Sequence, residues 1–166
     1  MPARSDTVTL VGIAASVFAI DQLTKFLLVS TIGPDRFESR VDFVDGWLAL
    51  EYTENRGAAF GVLSGLVPIL TAASIAVLIG LLLHYMRQVK PPLWHTLAIG
   101  AVVGGALGNL FDRVRLGHVI DFLSVGPWPN FNVADSAITV GVLVLIWGWT
   151  RPASSFDMAR VIDQKN

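Results

Sequence analysis

The chain has 166 residues, of which 53% are hydrophobic and only 15% are charged, and its mean hydropathy is +0.60. About a quarter of the residues of a soluble domain are charged, so these values predict a membrane protein, and the length suits one domain covering residues 1–166. The absence of cysteine excludes disulfides, a thiol nucleophile and a cysteine metal site, and a net charge of −1 argues against nucleic-acid binding.

Four apolar stretches are candidates for membrane spans, each of which needs about 20 mostly apolar residues. We place these spans at about 8–29, 60–85, 92–111 and 134–150. The first could instead belong to a cleaved signal peptide, because Arg4 precedes it. No small-residue cleavage site follows cleanly, and 26–29 continue the apolar run, so an uncleaved span fits better. The predicted fold class is an all-α integral membrane protein with four transmembrane helices.

Four spans put both termini on one side of the membrane and the segments 31–56 and 112–133 on the other. Lysine and arginine number six on the terminal side and five opposite, which decides little. The short loop that carries Arg87 and Lys90 favours cytoplasmic termini. The two longer segments are therefore expected to be extracytoplasmic.

The extracytoplasmic segments contain a hairpin signal and an interfacial loop. Two strand-like runs, 40–44 and 47–53, are joined at Asp45-Gly46, which predicts a small β-hairpin or cradle on the membrane surface. The segment 126–130, with two prolines and a tryptophan, predicts an interfacial loop between the third and fourth spans. The tail beyond Pro152 is polar and is expected to be cytoplasmic.

Three glycines recur every four residues on the third span, at Gly100, Gly104 and Gly108. Small residues at this spacing let another helix approach closely, which predicts a central third span. The alternative is that glycine is merely frequent in membrane helices.

Asp121 and Asp135 flank the interfacial loop. The charge-free run 136–150 spans about 23 Å at ~1.5 Å per residue, less than the ~30 Å hydrocarbon core, so Asp135 is expected below the bilayer surface. Asp135 could instead be an N-cap, and Asp121 a solvated loop carboxylate. If the loop folds back, the two form a close pair in which one carboxyl keeps its proton. Such a pair supplies an acid and a base for water attack on a peptide bond.

Further polar residues lie at the ends of the spans. Asp112 and Arg113 follow the third span, with Asn109 one turn earlier; Arg113 could mark a helix end or stabilise developing negative charge, with Asp112 as its partner. Asn55 and Asn132 could contact a substrate backbone or could cap helices.

Asp21 and Lys25 have the i, i+4 spacing of an ion pair on one helix face. We expect a structural pair, which could also orient the aspartates. The histidines at 84, 95 and 118 show no metal-binding spacing, and the serines at 16, 64, 74 and 136 have no evident base, so no metal, cofactor or serine nucleophile is predicted.

Taken in order, these residues resemble the pattern of the lipoprotein signal peptidase (signal peptidase II) family, a family of bacterial intramembrane aspartyl peptidases. The resemblance covers the chain from the first span to the start of the fourth. The motif blocks are Asp21-Gln22-x-x-Lys25, Asn55-x-Gly57-Ala58-Ala59-Phe60, Gly104-Gly105-Ala106-x-Gly108-Asn109-x-x-Asp112-Arg113, Gly117-x-Val119-x-Asp121-Phe122 and Phe131-Asn132-x-Ala134-Asp135-Ser136.

The resemblance implies an inner-membrane endopeptidase, with cytoplasmic termini and an extracytoplasmic active site, that removes the signal peptide before a diacylglyceryl-modified cysteine of prolipoproteins. It implies Asp121 and Asp135 as the catalytic dyad and globomycin as an inhibitor. The positions it implies for substrate binding or support are Asn55, Gly105, Asn109, Arg113, Asn132, Asp21, Lys25 and Asp112. Membrane lipid is an expected partner, and a monomer is the default state. The connection between the aspartates looks shorter than in many members, which leaves any lid over them open.

Two other classes of function are compatible with buried carboxylates. A small transporter could use Asp21, Asp121 and Asp135 as an ion relay, but the halves show no inverted repeat and the ionisable groups cluster near one face. A non-catalytic membrane scaffold held by the glycines would tolerate Asp121→Asn.

Overall fold

The structure is a computed structural model that describes residues 1–34, 40–57 and 67–150. The described helices are α1 (Arg4–Ile32), α2 (Val67–Met86), α3 (Leu93–Leu116) and α4 (Val133–Thr150). The described strands are β1 (Arg40–Val44), β2 (Leu48–Asn55) and β3 (Val119–Val125). All four helices are long and apolar enough to span a bilayer. The predicted fold class is therefore confirmed.

Some predicted segments lie outside the described residues: the start of the second span at about 60, the motif residues 58–60 and the tail after 150. The third helix differs from its predicted end at about 111, because α3 continues to Leu116. Arg113 and Arg115 occupy its last turn, where positive charge interacts favourably with the helix dipole. Gly117 then ends it with φ +77° and a backbone N–H donated to the carbonyl of Arg113 at 3.1 Å.

The most deeply packed helix is α3. In the membrane-spanning stretch of α3, 56% is buried, against 17%, 6% and 17% in those of α1, α2 and α4. A Cβ at Gly104 would lie 2.5 Å from the backbone oxygen of Ala14 on α1, and one at Gly105 would lie 2.5 Å from that of Ala134 on α4. Because glycine has no side chain, α1 and α4 can both pack closely against α3 at these positions. The predicted central third span is confirmed.

The three strands form an antiparallel sheet in the order β1-β2-β3. The predicted hairpin is confirmed, with Gly46 at φ +70° in the turn between β1 and β2. The strand β3 lies just before the predicted loop at 126–130, in a segment for which no strand was predicted, and it pairs Asp121 with Thr53 and Val119 with Asn55 on β2. A buried apolar cluster joins the sheet to the end of α1 through Leu28, Ile32, Ile120 and Phe122.

Candidate active site

Asp121 lies on β3 and is only 2% exposed, so the alternative of a solvated loop carboxylate is wrong. Beyond β3 the chain turns back. Phe131 pairs with Leu123, accepting a hydrogen bond from its N–H at 2.8 Å and donating one to its carbonyl at 3.1 Å. This fold-back brings the start of α4, and with it Asp135, to the strand that carries Asp121.

Asn132 joins the two aspartates. Its side-chain amide donates to Oδ1 of Asp121 at 2.7 Å, and its side-chain oxygen accepts from the backbone N–H of Asp135 at 2.9 Å. Its own backbone N–H donates to Oδ2 of Asp135 at 3.2 Å. These last two bonds are the reciprocal pattern of a capping box, so Asn132 caps α4 and Asp135 is the third helical residue. The alternative that Asp135 is the N-cap is wrong.

Two further asparagines each hold one aspartate. Asn109 on α3 donates to Oδ1 of Asp135 at 2.7 Å, and Asn55 at the end of β2 donates to Oδ2 of Asp121 at 2.9 Å. Asn132 also donates to Oδ1 of Asn109 at 3.1 Å. The three amides therefore form one continuous support around the two carboxyl groups.

A buried ionic cluster lies next to this support. Lys25 is 2% exposed, and its ammonium lies 2.8 Å from Asp21 and 2.7 Å from Asp112. The predicted pair of Asp21 and Lys25 is confirmed. Asp112 also forms an ion pair with Lys25, while its charge attracts Arg113. Lys25 further donates to Oδ1 of Asn109 at 3.2 Å, which links the cluster to the asparagines.

Each acid of the cluster holds the backbone next to one candidate catalytic aspartate. Asp21 accepts from the N–H of Ala134 at 3.0 Å, immediately before Asp135. Asp112 accepts from the N–H of Ile120 at 3.3 Å, immediately before Asp121. The cluster thus fixes the backbone on both sides of the candidate site.

Sequence reasoning missed Gln22 as a candidate, although it stands in the first motif block. Its side-chain amide donates to Oδ1 of Asp112 at 3.0 Å and to Oδ2 of Asp21 at 3.1 Å. The signal was its position beside Asp21 on a helix that already carried two charges. A polar neighbour at membrane depth needs a hydrogen-bond partner, and these carboxylates are within reach.

Arg113 and Gly105 complete the predicted set. Arg113 is half-buried and donates to the carbonyl of Asn109 at 3.5 Å, and the carboxylates of Asp135 and Asp121 lie near enough to attract its charge. Gly105 lies where α3 meets α4 and brings the backbones together there. Arg113 therefore supplies positive charge beside the two aspartates, and Gly105 allows the backbones of α3 and α4 to approach each other closely.

No group of three or more histidine, aspartate or glutamate side chains in the described residues could hold a metal ion. His84 and His95 are neighbours, with ring centres 5.6 Å apart, at the end of the bundle away from the sheet. His118 lies near Glu54, with Nδ1 and Oε2 3.9 Å apart. The chemistry available to the described site is that of carboxyl, amide and guanidinium groups.

A family model described as signal peptidase (SPase) II matches residues 13–151. The chain belongs to the signal peptidase II family. It is 44% identical over 140 residues to the lipoprotein signal peptidase of Rhodococcus jostii (strain RHA1), covering 81% of this chain and 68% of that protein. It is 42% identical over 149 residues to that of Parasynechococcus marenigrum (strain WH8102), covering 88% of this chain and 92% of that protein.

Solved structures agree with this assignment. Two structures titled as bacterial membrane enzymes match with TM-scores of 0.75, at 33% and 32% identity. They cover 85% and 86% of this chain, and 87% and 93% of theirs. Membership in the signal peptidase II family makes the chain a multi-pass membrane peptidase of lipoprotein processing, and this excludes the transporter and scaffold alternatives.

In this signal peptidase II, the environment of Asp121 bears on proton transfer. Burial, together with the nearby Asp135, raises the pKa of Asp121 to about 7, against the opposing effect of hydrogen bonds from Asn55 and Asn132. A carboxyl with this pKa is about half protonated near pH 7, where an ordinary aspartate is almost fully ionised. It can therefore donate a proton where an ordinary aspartate cannot.

Proposed function

We propose that Asp121 and Asp135 form the catalytic dyad of an aspartyl endopeptidase. The observation that carries the proposal is the bridge through Asn132, which holds one carboxyl by its side-chain amide and the other by its backbone N–H. Two carboxyl groups held beside each other in a buried site share a proton, so one serves as acid and the other as base.

The proposed reaction is direct hydrolysis. Asp135 accepts a proton from water as the water oxygen forms a bond to the peptide carbonyl carbon. Asp121 donates its proton to the amide nitrogen as the carbon–nitrogen bond breaks. Arg113, which the two carboxylates attract, would stabilise the negative charge that develops on the carbonyl oxygen. The proton accepted by Asp135 then replaces the one lost from Asp121, and the dyad is ready for another cycle.

Family membership supports the substrate proposed here. The chain is proposed to cleave diacylglyceryl-modified prolipoproteins immediately before the modified cysteine, and to be inhibited by globomycin. Asn55 sits beside Asp121 at the end of β2, where its amide could also meet an extended substrate backbone. The proposed supporting roles of Asp21 and Asp112 follow from the backbone contacts that they make beside the dyad, and that of Lys25 follows from its ion pairs with both acids.

The proposed location is the bacterial inner membrane, as a single-domain monomer with cytoplasmic termini. The dyad lies at the end of the helices where the sheet packs, which is the end opposite the first residue of α1 and the last of α4. Cytoplasmic termini therefore put the dyad near the extracytoplasmic face, where a translocated prolipoprotein presents its cleavage site.

The test is cleavage of a purified diacylglyceryl-modified prolipoprotein by the full chain in lipid, with and without a chelator. Asp121→Asn and Asp135→Asn should each lose at least about 10³-fold in kcat, since each removes a group that transfers a proton. Asp45→Asn, at the exposed hairpin turn, is the matched control and should cleave like the wild type. Full activity of either dyad variant would overturn the assignment of that aspartate, and inhibition by the chelator would overturn the metal-free mechanism.

A further inference from the structure

A groove of about 590 Å³ runs along the contact between α1 and α3, and its walls are almost entirely apolar. Phe18 of α1 and Phe111 of α3 meet in it edge to face, with ring centres 5.7 Å apart. Leu82 of α2 also contributes to its wall. Neither dyad aspartate lines the described groove, so it is separate from the proposed active site.

A second cavity, of about 200 Å³, lies toward the sheet, and its mostly apolar wall includes the polar side chains of Gln22, Lys25, Asp112, Arg115 and His118. The walls of the two cavities lie on the same faces of α1 and α3, since residues four apart share a helix face. Phe18, Gln22 and Phe26 follow this spacing on α1, and Leu107, Phe111 and Arg115 follow it on α3. We call the two cavities together the α1–α3 seam, defined by Phe18, Gln22, Phe26, Leu107, Phe111 and Arg115. The seam is apolar along the bundle and polar at its sheet end.

The polar end of the seam has nitrogen atoms that make no hydrogen bond within the described residues. Arg115 is exposed and, among the described residues, has no ion pair or hydrogen bond; its guanidinium lies 6.0 Å from the ring centre of Phe111. Nε2 of His118 is buried without a hydrogen-bond partner in the described part of the chain. Lys25 also lines this cavity, but Asp21 and Asp112 compensate its charge.

We infer that the α1–α3 seam binds one glycerophospholipid with an anionic headgroup. The phosphate would accept hydrogen bonds from Arg115 and His118, and an acyl chain would follow Phe18 and Phe111 along the groove. A guanidinium matches the paired oxygens of a phosphate, which makes it the favoured partner for such a group.

Two features favour an anionic lipid over free phosphate and over a zwitterionic lipid. One helical turn separates Phe18 and Phe111 in the groove wall from Gln22 and Arg115 in the cavity wall, so a lipid with its headgroup in the cavity can place an acyl chain in the groove, which free phosphate cannot fill. The only carboxylate in the described wall of the cavity, Asp112, is paired with Lys25. A zwitterionic headgroup would therefore meet no unpaired carboxylate in the part of the wall that the structure describes, and a net anionic lipid is preferred.

The experiment is native mass spectrometry of the full chain in a neutral detergent, titrated with phosphatidylglycerol, phosphatidylcholine or inorganic phosphate. Phosphatidylglycerol should bind about tenfold or more tightly than phosphatidylcholine, and inorganic phosphate should not displace it at equal concentration. Arg115→Gln should weaken phosphatidylglycerol binding about tenfold, and His118→Leu should weaken it less. Arg87→Gln, at an exposed arginine at the other end of the bundle, is the charge-matched control and should bind like the wild type.

A second pair of variants tests the acyl chain. Ala15 lines the groove, whereas Ala19 is exposed on the same helix and is not in the groove wall. Ala15→Trp should fill the groove and reduce phosphatidylglycerol binding, and Ala19→Trp should leave it unchanged. Equal binding of the two lipids, equal binding by the Arg115→Gln and Arg87→Gln chains, or equal binding by the two tryptophan variants would overturn the inference. Displacement by phosphate alone would reduce the site to an anion pocket without a lipid.

Discussion

Asn132 donates its side-chain N–H to Oδ1 of Asp121 at 2.7 Å while it caps the helix that carries Asp135. Asn132→Ala removes both restraints at once. A misplacement of about 1 Å in a catalytic group can lower the rate about 10²-fold, so kcat should fall by roughly this factor. KM should change less, because Asn132 is buried and its side chain is already hydrogen-bonded to Asn109, Asp121 and the backbone of Asp135. Steady-state cleavage of the prolipoprotein substrate measures both values.

Asn130→Ala is the matched control for this variant, because it removes an amide from the same connection. Asn130 donates to the hydroxyl of Thr53 at 2.7 Å but makes no described contact with either aspartate. Its loss should lower the free energy of unfolding by about 1 kcal/mol and leave kcat within a few-fold of the wild type. Equal losses of kcat in the two variants would contradict a specific role for Asn132.

The pKa of Asp121, raised to about 7 by burial and by the nearby Asp135, predicts an alkaline limit to activity. If Asp121 is the acid, kcat should fall as pH rises through about 7, because the donated proton is then lost. Asn55→Ala removes a hydrogen bond that lowers this pKa, so its alkaline limb should move to higher pH. The pH dependence of kcat measures the alkaline limb of the wild type and of the variant. A wild-type profile that stays flat to about pH 9 would exclude Asp121 as the acid.

The same shift predicts how stability depends on pH. The pKa of Asp121 is higher in the folded chain than the ~3.9 of an unfolded aspartate, so the native state binds more protons between these values. The contribution of Asp121 to the free energy of unfolding therefore decreases as pH rises from about 4 to about 7. Asp121→Asn removes it, so the variant should lose less stability across this window than the wild type. Thermal unfolding in detergent at several pH values gives the comparison.

Lys25 compensates two buried acids, so its removal should be costly. Lys25→Met leaves Asp21 and Asp112 buried without their cation, and breaking a buried ion pair in this way costs about 3–5 kcal/mol. The melting temperature in detergent should fall strongly. Arg4→Met, at the exposed start of the same helix, should change the free energy of unfolding by about 0.5 kcal/mol or less.

A double variant separates lost charge compensation from lost packing. Asp112→Asn keeps a similar shape but removes one of the two uncompensated charges. In the Lys25→Met background it should therefore recover part of the lost stability. If the double variant is less stable than Lys25→Met alone, the cost lies in the shape of the lysine side chain and not in its charge.

Local signals in the sequence predicted the elements of the fold. Apolar runs of sufficient length predicted the helices, the Asp45-Gly46 pair predicted the hairpin, and the i, i+4 spacing predicted the pair of Asp21 and Lys25. In each case the physical cause acts within a few residues of the chain. The strand β3 was not predicted, because its apolar run is short and its pairing partner, β2, lies far away in the sequence.

Contacts between elements were harder to predict. The sequence offered Arg113 as a possible partner of Asp112, but helix packing brings Lys25 to Asp112 from α1. Asn132 and Asp135 carried a readable signal, since a capping residue followed three positions later by an acid is typical of a helix start. The bond from Asn132 to Asp121 depends instead on the fold-back of the chain at Phe131, which no local pattern specified.

The glycines of α3 allow a direct test of the packing that holds this network together. A Cβ added at Gly104 would lie 2.5 Å from the backbone oxygen of Ala14 and 2.8 Å from Cβ of Val17. Backbone cannot move aside as a flexible side chain can, so Gly104→Ala should destabilise the chain by about 1–3 kcal/mol. It should also lower kcat, because it pushes apart α1 and α3, whose contact joins Lys25 to Asn109.

Gly80→Ala is the matched control, since a Cβ at Gly80 on α2 would meet nothing within 4 Å. Alanine is preferred to glycine in a helix by about 1 kcal/mol, so this variant should be as stable as the wild type or slightly more stable. Melting temperatures in one detergent and kcat for one substrate compare the two variants. If Gly104→Ala melts and cleaves like Gly80→Ala, the close contact of α1 with α3 is not what holds Lys25 beside Asn109.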